Sequence, residues 1–353
     1  MERFRSSLRM EMQVVLSLLL IAVCIGTSPQ RAIAVSLDYT AAGKVTDTKI
    51  QYDNLPRRVL YYIPKNFTLK AKHPLVFIIH GFNQPIETIV SGYGTEQAKA
   101  DADGTILVYP GSTGSFEKRS LAWNTRYGSY SKTTFPEVDK VDDIGFFSYL
   151  IDLFVSELNC DPDRVYVTGM SLGGAMTYTL SCYIPEKLAA IAPVIMQMGT
   201  RLAKQCTPAK PLPVMIINGT ADPLVPNAGN NQDPATEWLP ILSINDTISF
   251  WKIRNGITGS PTKTDLPNPV TEVFKGKETP SNIEKYVWSS PNGNEIIWLK
   301  VMNGGHWLPT YAGGKALDAS NLGGFDGSYM GNYNCDYDAS GGIYDFLLSH
   351  TRK

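Results

Sequence analysis

Between Arg164 and Tyr178 the chain reads Arg-Val-Tyr-Val-Thr-Gly-Met-Ser-Leu-Gly-Gly-Ala-Met-Thr-Tyr. An apolar, β-branched run enters Gly169-x-Ser171-x-Gly173, and an Ala- and Met-rich run with helical character leaves it. Such a strand–turn–helix leaves the chain few folds: the turn forces Ser171 into strained dihedrals, and a Cβ at 169 or 173 would meet the neighbouring strand and helix. The hydroxyl then stands exposed at a helix start, the arrangement of a nucleophile elbow. A serine in a tight turn with no chemical role is the competing reading of this stretch alone.

The surroundings supply the sheet that an elbow needs. From about Arg58 strand-like and helix-like patterns alternate, which predicts an α/β chain with a mostly parallel central sheet and helices on both faces, in a single domain. Strands are expected at 58–63, 75–80, 106–110, 164–168, 189–192, 214–218 and 296–301; several are unbroken apolar runs, as strands covered on both faces should be. The clearest helix opens at Asp142 or Asp143 and sets Phe147, Leu150, Ile151, Phe154, Val155 and Leu158 at spacings of three and four. A last helix opens near Asp338. Stretches 111–138 and 227–242 lack periodicity and read as long loops.

A serine hydroxyl needs a base within hydrogen-bond reach and a carboxylate to orient that base. In this chain order the acid and then the histidine follow the serine. His306 and His350 lie beyond Ser171. His306 stands in an Asn-Gly-Gly-His-Trp loop just after the strand ending at Val301, at the carboxyl edge of the sheet, whereas His350 sits near the end of the last helix. Asp222 leaves the 214–218 strand at the same edge. Asp233 lies in a polar loop and Asp246 reads as the cap of a helix over 247–255. Two backbone N–H groups must hold the oxyanion; the pattern assigns them to Leu172 and Phe82, with Gly81 or Asn83 as alternatives to the latter. His80 ends a strand ahead of the acid and reads as a histidine that braces a loop.

Composition narrows the setting. Of 353 residues 43% are apolar and 18% charged, which excludes disorder as the main state. A net charge of −1 gives no electrostatic footprint for nucleic acid. Arg3, Arg5 and Arg9 precede an apolar run from Val14 to Ile25, and Ala32-Ile33-Ala34 has the small-x-small form of a cleavage site. Residues 1–34 thus read as a signal peptide and 35–353 as the working domain, secreted to the extracellular space or periplasm, with no stable membrane insertion after cleavage. A retained anchor and lipidation at Cys24 are the alternatives. Cleavage takes away four Arg and two Glu, which moves the charge from −1 to −3. Cys160, Cys182, Cys206 and Cys335 remain, an even number without a C-x-x-C pair, so disulfides are favoured over a metal site, and no metal or other cofactor is expected. Of three connectivities, Cys182–Cys206, flanking a single strand and loop, with Cys160–Cys335 by elimination is preferred; four free thiols are the alternative.

Val76 to Gln84 (Val-Phe-Ile-Ile-His-Gly-Phe-Asn-Gln), Val141 to Phe147, Asp161 to Gly174, Ala189 to Pro193, Asn218 to Pro223 and Gly304-Gly-His306 together give the chain its resemblance. It is similar to the secreted esterase family that contains polyhydroxybutyrate depolymerases, feruloyl esterases and acetyl xylan esterases of carbohydrate esterase family 1. The resemblance implies an α/β-hydrolase fold, a triad of Ser171, Asp222 and His306, and an ester as substrate, either a polyester or an esterified plant polysaccharide fragment. The chain departs from the family pattern beside the reacting carbonyl: Phe82 where Cys is common, Leu172 where Asn is common, and Trp307-Leu-Pro309 in place of Thr-Trp-Pro. Trp123, Tyr127 and Trp307 are the candidate aromatic wall for the substrate, with core packing as the other reading. A serine peptidase on the same fold and a catalytically inactive binding module are the competing functions.

Overall fold

The computed structural model describes residues 36–92, 95–131, 133–207, 210–230, 239–268, 282–310 and 327–352. The expected leader, with Cys24, and the loop aspartate Asp233 lie outside the described residues. Among the described residues no helix is long and apolar enough to cross a membrane.

A ten-stranded sheet forms the centre, in the order β1-β2-β4-β3-β5-β6-β7-β10-β9-β8. The strands are β1 (Val45–Tyr52), β2 (Leu55–Tyr62), β3 (His73–Ile79), β4 (Ile106–Pro110), β5 (Cys160–Met170), β6 (Ala190–Val194), β7 (Val214–Gly219), β8 (Thr262–Asp265), β9 (Ile283–Ser289) and β10 (Glu295–Val301). The central six, from β4 to β10, pair in parallel, and the outer strands on both sides pair antiparallel. Each of β3, β4, β6 and β7 is buried along its whole length, which is why these segments read as continuous apolar runs.

Alternation along the strands divides the core in two. Val59, Tyr61, Phe77 and Ile79 face one layer, with α3 (Asp143–Glu157), α4 (Leu172–Tyr183), α5 (Thr200–Gln205) and α6 (Ile244–Arg254) against it. Leu60, Tyr62, Val76 and Ile78 face the other, covered by α1 (Ile86–Gly92), α2 (Glu96–Asp103) and α7 (Ala339–Leu348). This is the three-layer architecture that the alternating pattern predicts.

Helix starts follow short polar side chains. Asp142 accepts from the Gly145 N–H and Asp338 from the Gly341 N–H, each opening its helix at the expected place. The helix expected over 247–255 begins earlier, at Ile244: Ser243 caps it by accepting from the Asp246 N–H, while Asp246 Oδ2 accepts a hydrogen bond from the Ser243 hydroxyl in return. That reciprocal bond, and not a cap by Asp246, ends the preceding loop.

One disulfide, Cys182–Cys206, joins the end of α4 to the end of α5. The second expected pair does not form: Cys160 and Cys335 are free thiols. Cys160 opens β5 at the amino edge of the sheet, opposite His73 of β3, whereas Cys335 follows Asn334, whose carbonyl accepts from Thr310 N beyond the opposite, carboxyl edge. The length of β5 separates them.

Candidate active site

The parallel strands β5, β7 and β10, with β6 between the first two, each lead at their carboxyl ends into a segment that delivers one polar side chain. At the end of β5 the backbone turns so tightly that Ser171 adopts φ 55° and ψ −120°, a conformation that costs a non-glycine residue on the order of 1–3 kcal/mol. The turn survives because it is over-determined. Ser171 N–H donates to Val194 O at 3.0 Å, and a Cβ on Gly173 would stand 2.1 Å from Ile79 O, so only glycine lets α4 close on β3. Gly169 is as crowded, its Cβ position lying 2.6 Å from the backbone of Gly173. Ser171 itself is part-exposed.

Past β7 the chain makes an Asp-Pro turn. Asp222 Oδ1 accepts from the N–H groups of Leu224 and Val225, both at 2.8 Å, which fixes the carboxylate in the manner of an Asx turn. Its other oxygen faces His306. The loop after β10 carries the imidazole and is clamped on both sides. Ala221 N–H donates to Gly304 O at 2.9 Å, while Gly305 N–H donates to Asn332 O at 2.7 Å and His306 N–H to Met330 O at 2.6 Å.

These constraints set a hydroxyl, an imidazole and a carboxylate in series. His306 Nδ1 lies 2.7 Å from Asp222 Oδ2, and His306 Nε2 lies 2.9 Å from Ser171 Oγ. With the carboxylate accepting, Nδ1 carries the proton and Nε2 is left to accept from the serine hydroxyl. Asp222 and His306 are 5% and 3% exposed, so little water competes for either bond.

Gly81 N–H donates to Gln84 Oε1 and Asn83 N–H to Leu121 O, each at 2.8 Å, so both alternatives to Phe82 are engaged. Leu172, the first residue of α4, has no intrahelical acceptor for its N–H. His80 braces this loop: its Nδ1–H donates to Gly81 O at 2.7 Å, its Nε2 accepts from Ser112 N–H at 3.0 Å, and burial pulls its pKa down to about 4.

The aromatic residues sort differently from expectation. Trp123 and Tyr127 are fully buried, Trp123 donating to His80 O and Tyr127 to Gln197 O. They are core residues beneath the site, not a wall of it: the loop that bears them turns inward because both polar atoms find carbonyl partners there. Trp307 is part-exposed beside His306, donating to Gly331 O at 3.2 Å and meeting Tyr333 edge-on. Leu224 and Tyr329, at 47% and 45% exposure, stand on the loops that hold Asp222 and His306. The sequence reading missed Gln84 and the Met330 and Asn332 carbonyls. Gln84 carried a usable signal in its His-Gly-Phe-Asn-Gln run, whereas backbone acceptors 24 or more residues from the histidine carry none.

A strained elbow between a parallel strand and a helix, with imidazole and carboxylate behind it at one sheet edge, defines an α/β-hydrolase. No family model matches the chain. Feruloyl esterase B of Piromyces equi is 27% identical over 222 residues, 62% of this chain and 39% of that protein. A putative esterase, NocK, of Nocardia uniformis subsp. tsuyamanensis is 31% identical over 258 residues, 71% of this chain and 70% of that protein. Among solved structures, the acetyl xylan esterase from Aspergillus awamori aligns with a TM-score of 0.46 and 15% identity over 69% of this chain and 87% of that one. The chain belongs to the esterase family that includes feruloyl esterases, acetylxylan esterases and poly(3-hydroxybutyrate) depolymerases. It spans about two fifths of the length of the Piromyces enzyme.

Proposed function

We propose that the protein is an exported carboxylic ester hydrolase working through an acyl-enzyme, with Ser171 as nucleophile, His306 as base and Asp222 as the group that orients the imidazole. The observation that carries this reading is His306, bridging Ser171 Oγ at 2.9 Å and Asp222 Oδ2 at 2.7 Å. Nε2 takes the hydroxyl proton as Oγ attacks the ester carbonyl; the imidazolium is stabilised by the carboxylate and returns the proton to the leaving alkoxide. Water then repeats the relay to release the acid. The N–H groups of Leu172 and Phe82 receive the oxyanion.

The substrate is an ester of the kind named in the relatives, a feruloylated or acetylated polysaccharide fragment or a hydroxyalkanoate polyester. Trp307, with Leu224 and Tyr329, forms the apolar rim that would meet it. Export through residues 1–34 is supported by the Cys182–Cys206 disulfide, which persists in an oxidising compartment. The test compares release from methyl ferulate, acetyl xylan and amorphous polyhydroxybutyrate by the native protein and by Ser171→Ala. Loss of at least a thousandfold in turnover with Ser171→Ala is expected; near-normal hydrolysis by the variant ends the proposal.

A further inference from the structure

A cleft of about 310 Å³ opens at the far end of α4 from the elbow. Twelve residues of helix separate the two, a rise of roughly 18 Å. Two guanidinium groups line it, Arg126 from the loop after Trp123 and Arg201 from α5, and the described residues provide neither with an ion-pair partner. The one acidic side chain in the wall, Asp139, is already engaged: Ser129 Oγ donates to it at 2.6 Å and Tyr130 N–H at 3.0 Å. The carboxyl ends of α4 and α5 add partial negative charge. Two full cations against one carboxylate and two partial dipoles come close to balance, so any pull on an anion is local, exerted by the two guanidinium groups and not by a net charge of the cleft.

The walls are held before any ligand arrives. Arg126 sits at φ 59°, a left-handed conformation that favours glycine, and Tyr127 beside it is fixed by its bond to Gln197 O. The Cys182–Cys206 disulfide adjoins both Tyr183 and Gln205, and both line the cleft. Tyr183 is 44% exposed and presents a flat ring there. A pair of unpaired guanidinium groups selects a carboxylate through forked hydrogen bonds, and an exposed tyrosine ring beside polar amides suits the apolar face and hydroxyls of a sugar. The volume is at the small end for ligand sites and fits one ring.

We infer that this cleft is a binding site for a carboxylate-bearing saccharide, a uronic acid residue held by Arg126 and Arg201 with Tyr183 against its ring. The choice of a saccharide rests on the proposed function; the site itself does not, and it is read by binding without turnover. Titration calorimetry on the Ser171→Ala protein would compare D-glucuronate, D-glucose, acetate and sulfate at low ionic strength. Glucuronate is expected to bind at least tenfold more tightly than glucose or acetate, and Arg126→Gln and Arg201→Gln are each expected to weaken it roughly fivefold or more. Arg201 is exposed, so its variant reads binding without disturbing the fold. Equal affinity for glucose or acetate, or no change in either arginine variant, overturns the site. Sulfate binding as tightly as glucuronate overturns the saccharide assignment and leaves a general anion hole. If esterase activity is absent and glucuronate still binds, the function falls and this inference stands.

Discussion

Arg57 Nη2 lies 2.7 Å from Asp143 Oδ1, and neither side chain is more than 1% exposed. The pair is the anchor of the long aperiodic stretch. The same Nη2 donates to Gly111 O at 3.1 Å, and Asp143 Oδ2 accepts from Asn124 N–H at 2.8 Å, so both ends of the 111–124 segment are tied to β2 and α3. The guanidinium also covers the Phe146 ring at 4.0 Å. The charge-assisted bonds at its two ends act together with the burial of Trp123, Tyr127 and Tyr130 to order the loop.

Removing one partner leaves a buried charge alone. Asp143→Ala is expected to cost about 3–5 kcal/mol in urea unfolding, whereas Arg57→Met with Asp143→Leu recovers much of that loss because no ion is stranded. A double variant no more stable than the single one would contradict this account.

The elbow tolerates no side chain at 173. With Ile79 O at 2.1 Å from the added carbon, Gly173→Ala must push α4 off β3, at a cost of about 3 kcal/mol or more and with loss of soluble yield. Gly259→Ala is the control, since nothing lies within 4 Å of its Cβ position. That variant should melt within a degree or two of the native protein.

The disulfide and the thiols make separable claims. Cys182–Cys206 closes a loop with a sequence separation of 24, so Cys182→Ser with Cys206→Ser should lower stability by roughly 3 kcal/mol. A thiol reagent applied to the native protein should modify part-buried Cys335 and spare Cys160, whose thiol burial pushes well above its ordinary pKa. Cys160 reacting before unfolding would refute its placement in the sheet.

Stability should fall as pH rises from about 5 to 8 through Glu96. This side chain is 3% exposed on α2, and burial, reinforced by Asp338, pushes its pKa up to about 8. Between the unfolded value of 4.5 and about 8 the unfolded chain has released the proton while the folded chain still holds it. The stabilisation is therefore complete below pH 4.5 and lost towards pH 8, by roughly 4 kcal/mol. Glu96→Met removes the titrating group, so the difference between the two proteins in urea midpoint should grow in favour of the variant from pH 5 to pH 8. A constant difference would show that Glu96 does not titrate in this range.

Much of the centre was legible because burial on both faces writes itself as continuous apolar runs. β3, β5, β7 and β10 were visible that way, and with them the ends at which Ser171, Asp222 and His306 emerge. The outer strands were not. Every residue of β8 is exposed, so Thr-Lys-Thr-Asp carries no hydrophobic signal, and it forms because β9 offers an edge. β1 is defined by its hairpin with β2, where Asp53 and Asn54 both take positive φ, a turn signal that was present in the sequence and went unread. The misplacement of Trp123 and Tyr127 has another cause: composition shows an aromatic in a loop, but only the fold shows which way the loop faces. The Cys160–Cys335 expectation failed for a similar reason, since counting cysteines says nothing about which end of a strand each occupies.

The clamp on the His306 loop has a consequence for how the molecule is made. The turn that carries Asp222 is bonded to Val301 O and Gly304 O, and the backbone of the imidazole loop is in turn held by the carbonyls of Met330 and Asn332. The acid and the base are therefore fixed only when the chain has been made as far as this last clamp. Chemical competence arrives as a late event in biosynthesis, after residue 332 has left the ribosome and closed over the loop.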